Sequence, residues 1–389
     1  MEESRYKELL KESISNQWSR FAYFRNLCKR KNLVLTDLLM AIDNEEYYRI
    51  PAVMATAFKR SRGLIGELND LSREGRFQVS SSTSGDPSYI FTSREEMDKI
   101  LDNYRLTFGI EGVSRAIGFA PSCTILNGLS KKSGCMGRHG VARMKLALDA
   151  AKKHYRELKF TLDINMFRTI IAGICGGKAV LEKRQINDIV SMISDAEKEN
   201  EKISLGGVVL LFSPYLNQMK EGQFSLGSNG YFPFSGGGYN GSKGAIRGDK
   251  ISKPDMVKKI AAVFGMDKSH LSTNIKDIYA FTESSATHEG FWSENLQDYL
   301  FQAWHESKVY IVDPETEEPL RTGTGLIKVI TPYADGNPSA ANVSVLQLDS
   351  ATIRECQLNY SVTLFSNIAR VAGASAEGCA YKAEEIARA

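Results

Sequence analysis

Val208-Val209-Leu210-Leu211-Phe212-Ser213-Pro214 is an unbroken apolar run closed by a turn dipeptide. A run of this length without polar alternation reads as a strand buried on both faces, as in a parallel sheet covered by helices. Helical patterns lie on either side of it. Ile186 to Glu199 precedes it; Ser252 to Phe264 follows, with Pro254 in the first turn and Gly265 just past the end. Gly140 to Ala151 and Met166 to Ile174 are also helical in pattern, and Ile278 to Phe281 is a short strand. The expected class is α/β.

Outward from this centre the pattern changes at both ends. From Lys308 onward it is β-rich, with strands expected at Val309 to Val312, Gly325 to Ile330 and Val343 to Leu348. Asp313-Pro314 and Asp335-Gly336-Asn337-Pro338 supply the turns between them. The first 75 residues are helical, with Leu9, Leu10 and Ile14 on a stripe that Trp18, Phe21 and Phe24 continue. Arg76 to Ser80 alternates as a strand and runs into a polar loop, Ser80 to Ser88. A helix then opens with a capping box, Ser93 and Glu96. The expected organisation is an N-terminal helical region (1–75) packed on the core, a core domain (76–367) and a short tail (368–389). Some 20 residues after Arg370 are too few for an independent domain.

Bulk properties narrow the class of function. Among 389 residues, 42% are hydrophobic and 24% charged, a globular mix. The net charge of +3 offers no strong field for nucleic acid or an anionic membrane. No apolar run approaches the roughly 20 residues that span a bilayer, and Met1 to Asn26 is charged throughout, unlike a signal peptide. Cytoplasmic residence and no integral membrane contact are the expectation. The six cysteines form no CxxC pair and the five histidines are scattered, which argues against a zinc site or a disulfide framework.

Five segments carry potential chemistry. Ser80-Ser81-Ser82-Thr83-Ser84-Gly85-Asp86-Pro87-Ser88, placed between a strand and a helix, offers backbone N–H groups and hydroxyls to a polyphosphate; a solvated Ser-rich loop looks the same, and no Walker-type GK[ST] is present. Tyr279-Ala280-Phe281-Thr282-Glu283-Ser284 brings an aromatic, a hydroxyl and a carboxylate to a strand end, where α/β sheets bind ligands. There Glu283 can hold Mg²⁺, a hard cation that prefers carboxylate oxygen. Phe234-Ser235-Gly236-Gly237-Gly238-Tyr239-Asn240-Gly241-Ser242-Lys243-Gly244 suits a backbone lying flat against a ligand, or a hairpin tip. Leu348-Asp349-Ser350, after a strand, can bind ribose hydroxyls or cap a turn. In the tail, Ile368-Ala369-Arg370, Gly373 and Glu377-Gly378-Cys379-Ala380 lead into a helical end. A helix N-terminus favours thiolate at Cys379, although most cysteines are inert core residues.

Together these motifs resemble the adenylate-forming superfamily. More narrowly, over residues 76 to 383, they resemble the acyl-protein synthetase component of the bacterial fatty-acid reductase complex, a relative of phenylacetate–CoA ligase. The resemblance implies an adenylate-forming large domain with a β-rich C-terminal part and a truncated tail. It implies ATP and Mg²⁺ as cofactors and a fatty acid as substrate. Ser82, Thr83, Ser84 and Gly85 would hold the ATP phosphates. Tyr279 would flank the adenine, and Gly236, Gly237 and Gly238 would line the pocket. Thr282 would contact the α-phosphate, Glu283 would bind the metal, Asp349 the ribose, and Arg370 would mark the joint with the tail. The pattern Arg-x-x-Gly…Gly-Cys makes Cys379 the acyl acceptor. Implied partners are an acyl-protein reductase and a thioesterase, with self-association left open. Ligation to CoA or a carrier, and a non-catalytic nucleotide- or lipid-binding role, are the alternatives. The chain departs from the family pattern at Ser82 and Ala280 (Gly is usual), at Tyr239-Asn240 (Trp-Lys) and at Ala369 (Gly); the resemblance to the short acyl-protein synthetases implies no C-terminal lid with its adenylation lysine. Neither the acyl chain length nor the final acceptor follows from these residues.

Overall fold

A computed structural model describes residues 1–80, 87–108, 112–121, 140–142, 151–164, 174, 181–235 and 251–371. Its strands are β1 Val53–Met54, β2 Gly75–Val79, β3 Tyr89–Ser93, β4 Val113–Pro121, β5 Gly140–Ala142, β6 Glu157–Ile164, β7 Leu181–Lys183 and β8 Lys202–Val208, followed by β9 Gly230–Ser235, β10 Ile275–Ala280, β11 Thr287–Ser293 and β12 Asp298–Gln302, and lastly by β13 Lys308–Val312, β14 Thr324–Ile330, β15 Ser344–Cys356 and β16 Val362–Arg370.

Thirteen of them form one sheet, ordered β1-β15-β14-β13-β16-β12-β11-β10-β9-β8-β4-β6-β7. Its centre is parallel: β6, β4, β8, β9 and β10 run in one direction. Helices bridge the consecutive parallel strands, Val209–Leu216 between β8 and β9, and Lys253–Phe264 and Lys268–Asn274 between β9 and β10. This is the α/β arrangement expected. Beyond β10 the pairing becomes antiparallel through β11, β12 and β16. At that end β13, β14, β15 and β16 close on themselves, since β13 and β15 each pair with both β14 and β16.

The opening apolar run is a correction to the sequence reading. The strand is Lys202–Val208, and Val209 to Phe212 begins the helix Val209–Leu216, with Pro214 inside it. A short apolar run does not distinguish a buried strand from a buried helix, and this helix is buried nearly all round. The switch follows Gly206-Gly207. Gly207 has φ +128, and a Cβ there would lie 2.6 Å from the Phe119 carbonyl oxygen on β4, so the strand ends with its backbone against its neighbour. Gly140 to Ala142 is likewise a strand where a helix was expected; it pairs in parallel with β2. The Ser80–Ser88 loop joins β2 to β3 rather than to a helix. The helix Arg94–Phe108 follows β3 and opens with the expected capping box: Ser93 N–H donates to Glu96 at 2.6 Å, and Glu96 N–H donates to Ser93 Oγ at 3.3 Å.

Two large apolar cores form among the described residues. One unites the parallel strands with their helices, Phe119, Phe232 and Phe234 packing against Phe212 and Phe264. The other joins the N-terminal helices Glu3–Arg20, Ala22–Arg30 and Leu35–Asp43, through Tyr6, Leu10, Ile14 and Phe24, to Tyr310, Val312, Leu326, Ile330 and Val345. Thus β13 and β14 are buried on both faces. Lys328 points to the second core with Leu326 and Ile330, and its Nζ lies 2.6 Å from the carbonyl oxygens of both Tyr48 and Ile50. No described helix is long and apolar enough to cross a membrane.

Candidate active site

The carboxyl ends of three parallel strands come level, Ser235 of β9 pairing with Val208 of β8 and with Ile278 of β10. The glycine-rich segment and the Tyr279–Ser284 segment therefore both leave the carboxyl edge of the parallel sheet, where such sheets bind ligands. Past β10 the chain turns at once. Phe281 N–H donates to the Ala286 carbonyl at 3.0 Å, and Ser285 takes a left-handed φ of 55. Thr282, Glu283, Ser284 and Ser285 form the tip between β10 and β11. Ala280 is exposed, so its methyl, in a position where glycine is usual, meets no steric limit.

Tyr279 is buried. Its ring packs edge-on against Phe281 and Phe301, with centroids 4.5 and 6.0 Å away, and its hydroxyl donates to Asp349 Oδ2. Asp349 lies within β15, not after a strand as expected from sequence, at an irregularity in the β14–β15 ladder: Leu326 pairs with Ser350, but Lys328 pairs with Leu346. Asp349 shares the buried face of β15 with Ala351 and Ile353, the face turned to the core that holds Tyr279. The other carboxylate oxygen, Oδ1, lies 3.0 Å from Arg370 Nε. Arg370 is the last residue of β16 and pairs with Asp349 across the ladder. Burial raises the Tyr279 hydroxyl well above its ordinary pKa. The negative charges of Asp349 and then Glu283 push the same way, and Arg370 opposes them. Tyr279 is thus held as a donor, among the groups expected to handle ribose, metal and tail.

Glu283 is held by its backbone. Asn342 Nδ2 donates to the Glu283 carbonyl at 2.8 Å, and the Tyr333 hydroxyl donates to Asn342 Oδ1 at 2.6 Å. Among the described residues the Glu283 carboxylate makes no hydrogen bond or ion pair, and Ser284 Oγ is fully buried with no partner. A half-exposed carboxylate without a partner, flanked by two hydroxyls, is oxygen-only chemistry suited to a hard cation. No group of three or more His, Cys, Asp or Glu side chains able to hold a metal occurs among the described residues.

The structure therefore brings Tyr279, Glu283, Asp349 and Arg370 together and places Thr282 at the same tip. Ser82, Thr83, Ser84, Gly85, Gly236, Gly237, Gly238 and Cys379 lie outside the described residues. Around the first of these segments, Ser80 and Ser88 clasp the hairpin: Ser80 N–H donates to the Ser88 carbonyl at 3.1 Å, and Ser88 N–H donates to Ser80 Oγ at 2.8 Å. The two described cysteines make poor nucleophiles. Burial pushes the Cys28 thiol up to about 12 and also raises that of Cys356. Sequence reasoning did not single out Asn342 or Tyr333. The one signal was a polar residue among apolar ones in Ala340-Ala341-Asn342-Val343.

Among known families, the one described as acyl-protein synthetase, LuxE, matches residues 180–386, more than half of the chain. Comparison with curated proteins finds no match. Among solved structures, an open conformation of 2-hydroxyisobutyryl-CoA ligase in complex with 2-HIB-AMP and CoA aligns with a TM-score of 0.58 at 13% identity, covering 95% of this chain and 70% of that one. The same ligase in its postadenylation state with 2-HIB-AMP aligns with a TM-score of 0.55 at 11% identity, covering 94% and 66%. At such identities the likeness is one of fold.

Proposed function

The chain belongs to the acyl-protein synthetase family, an AMP-forming acyl ligase on the adenylate-forming fold, and from that premise we propose that it activates a fatty acid as the acyl-adenylate and transfers the acyl group to its own Cys379. The observation that carries this reading is the meeting of Tyr279, Glu283, Asp349 and Arg370 at the carboxyl edge of the parallel sheet.

In this reading the fatty carboxylate attacks the α-phosphorus of ATP. The bond to the β-phosphate oxygen breaks, and pyrophosphate departs with the electron pair. The protein contributes positioning and charge complementarity. Asp349, fixed by Tyr279 and Arg370, accepts hydrogen bonds from the ribose hydroxyls. Thr282 donates to the α-phosphate, and residues 82–85 supply donors to the leaving phosphates. Glu283 is the proposed ligand for Mg²⁺, which when bound would neutralise the charge gathering on the polyphosphate. The Cys379 thiol gives its proton to solvent; its sulfur then attacks the acyl carbonyl, the bond to the AMP oxygen breaks, and a protein thioester remains. A thioester of this kind suits reduction by an acyl-protein reductase, and a thioesterase is a suitable source of the free acid.

Incubation with ATP and a radiolabelled fatty acid tests the proposal. Label retained on the protein, released by hydroxylamine and absent from Cys379→Ala, is the expected result. A second reading takes support from the CoA bound in the similar ligase structure: label appearing only on added CoA would favour it and sink self-acylation. Absence of ATP–pyrophosphate exchange with every acid tried would leave a nucleotide- or lipid-binding relative without catalysis.

A further inference from the structure

We infer that Asn342, oriented by Tyr333, is a positioning residue for Glu283, setting the direction of that carboxylate by holding the peptide behind it. The inference rests on the metal-binding role proposed for Glu283.

The Asn342 amide is committed at both ends. Its Nδ2 donates to the Glu283 carbonyl at 2.8 Å, and its Oδ1 accepts from the Tyr333 hydroxyl at 2.6 Å. A backbone carbonyl can only accept, so the reverse amide orientation would set oxygen against oxygen. Asn342 is 1% exposed and Tyr333 is 5% exposed, so water does not readily substitute for either bond. A buried polar group kept in an otherwise apolar stretch has to meet its hydrogen bonds, and half of what Asn342 meets is the backbone of the candidate metal ligand.

The Glu283 carboxylate itself is tied to no described residue, so its aim follows from its backbone. On one side that backbone is fixed by the Phe281–Ala286 hydrogen bond and the left-handed Ser285. On the other side Asn342 fixes the Glu283–Ser284 peptide plane. The anchor is itself held firmly. Tyr333 N–H donates to Ser13 Oγ at 3.0 Å, and Val343 N–H donates to Gln17 Oε1 at 3.0 Å. Both acceptors are fully buried side chains on the first helix, Glu3–Arg20. A continuous polar path thus runs from that helix through residues 333–343 to the tip that carries Glu283. Loss of a partner that hydrogen-bonds a metal-ligating side chain weakens metal binding about 10- to 100-fold; Asn342 holds the main chain behind the ligand, so the lower end of that range applies.

The test is Mn²⁺ binding to the protein–ATP complex, followed by electron paramagnetic resonance, alongside the metal dependence of ATP–pyrophosphate exchange. Asn342→Leu should weaken Mn²⁺ binding about tenfold or more. It should raise the metal concentration for half-maximal exchange to match, while the rate at saturating metal recovers. Asn342→Asp, which sets an acceptor against the carbonyl, should not restore affinity. Tyr333→Phe keeps the donor and loses its orienting partner. It should shift affinity the same way by a smaller factor, and it carries the test should Asn342→Leu not fold. Unchanged Mn²⁺ affinity in folded Asn342→Leu, or in Tyr333→Phe if the former is unfolded, overturns the inference. Glu283→Gln separates the two levels. If it too leaves Mn²⁺ affinity unchanged, the metal role of Glu283 is what fails. If it abolishes binding while Asn342→Leu leaves the affinity unchanged, only the positioning role fails.

Discussion

Asp349 and Arg370 are cross-strand partners on β15 and β16, and an ion pair of 3.0 Å from Oδ1 to Nε joins them where the sheet ends. The Asp349 side chain is one-tenth exposed and that of Arg370 about one-third. Arg370 thus holds one oxygen of the carboxylate from its wet side, while Tyr279 holds the other from the dry side.

Arg370→Ala should therefore cost on the order of 1–3 kcal/mol, because it leaves the buried Oδ1 of Asp349 without its counter-charge. It should also raise the KM for ATP in pyrophosphate exchange, since Asp349 loses one of its two restraints. Arg370→Lys should recover part of the loss, because an ammonium restores the positive charge of the ion pair but not the reach of the planar guanidinium. An unchanged KM in Arg370→Ala would show that the ion pair has no part in nucleotide binding.

Tyr279→Phe keeps the ring between Phe281 and Phe301 and removes only the hydroxyl. Thermal unfolding should show a loss of about 1.5–3 kcal/mol, the worth of a hydrogen bond to a charged group, and the KM for ATP should rise. Since burial and Asp349 keep this hydroxyl protonated, wild-type exchange should show no alkaline loss traceable to Tyr279 at pH 9. A loss at that pH present in wild type and absent in Tyr279→Phe would contradict this.

Much of this arrangement was legible in the sequence, because Tyr279, Thr282 and Glu283 are adjacent and the turn after β10 is local. The approach of Asp349 and Arg370 was not. It depends on the long-range pairing of β15 with β16, which continues to Arg370, past the expected start of the tail at residue 368. Asn342 escaped notice because its partners are 59 and 9 residues away. The run from Val208 misled because periodicity says nothing over five apolar residues; the break came from Gly206-Gly207 just before it. In Gly325 to Ile330, Lys328 looks like a solvent-facing position in a strand. Only the packing of the N-terminal helices on β14 makes it a core residue.

The environment of Lys328 makes stability depend on pH. Burial lowers its pKa to about 7, below the roughly 10.4 of an unfolded lysine. A neutral amine has two N–H groups, matching the two carbonyls of Tyr48 and Ile50. Between these two pKa values the unfolded chain binds more protons than the folded one. The Lys328 contribution to stability should therefore rise with pH from about 7 to about 10, by at most about 1.4 kcal/mol per unit. Urea unfolding of wild type and Lys328→Met across this range should give a difference that grows with pH in favour of wild type. A flat difference would mean that Lys328 stays charged when folded.

Acyl labelling should be indifferent to Cys28 and Cys356. Their thiols are raised by burial, Cys28 to about 12, so at neutral pH they hold almost no thiolate, the form that attacks. Cys28→Ala and Cys356→Ala should each retain hydroxylamine-sensitive label near the wild-type level, and Cys379→Ala should lose it. Loss of label in either of the first two, with folding intact by circular dichroism, would move the acceptor away from the tail.

The ladder closes with Val371 N–H donating to the Leu348 carbonyl at 3.1 Å, one residue past the Asp349–Arg370 pair. Cys379 is nine residues beyond Arg370, and covalent geometry limits a span of that length to about 30 Å. The thiol is thus leashed to about that radius around Arg370, the ion-pair partner of the carboxylate proposed to hold the ribose. A tether this short corresponds to a local concentration in the millimolar range. Capture of an activated acyl group by Cys379 would then be independent of protein dilution, and a free thiol in solution would have to reach comparable concentration before it diverted half of the product.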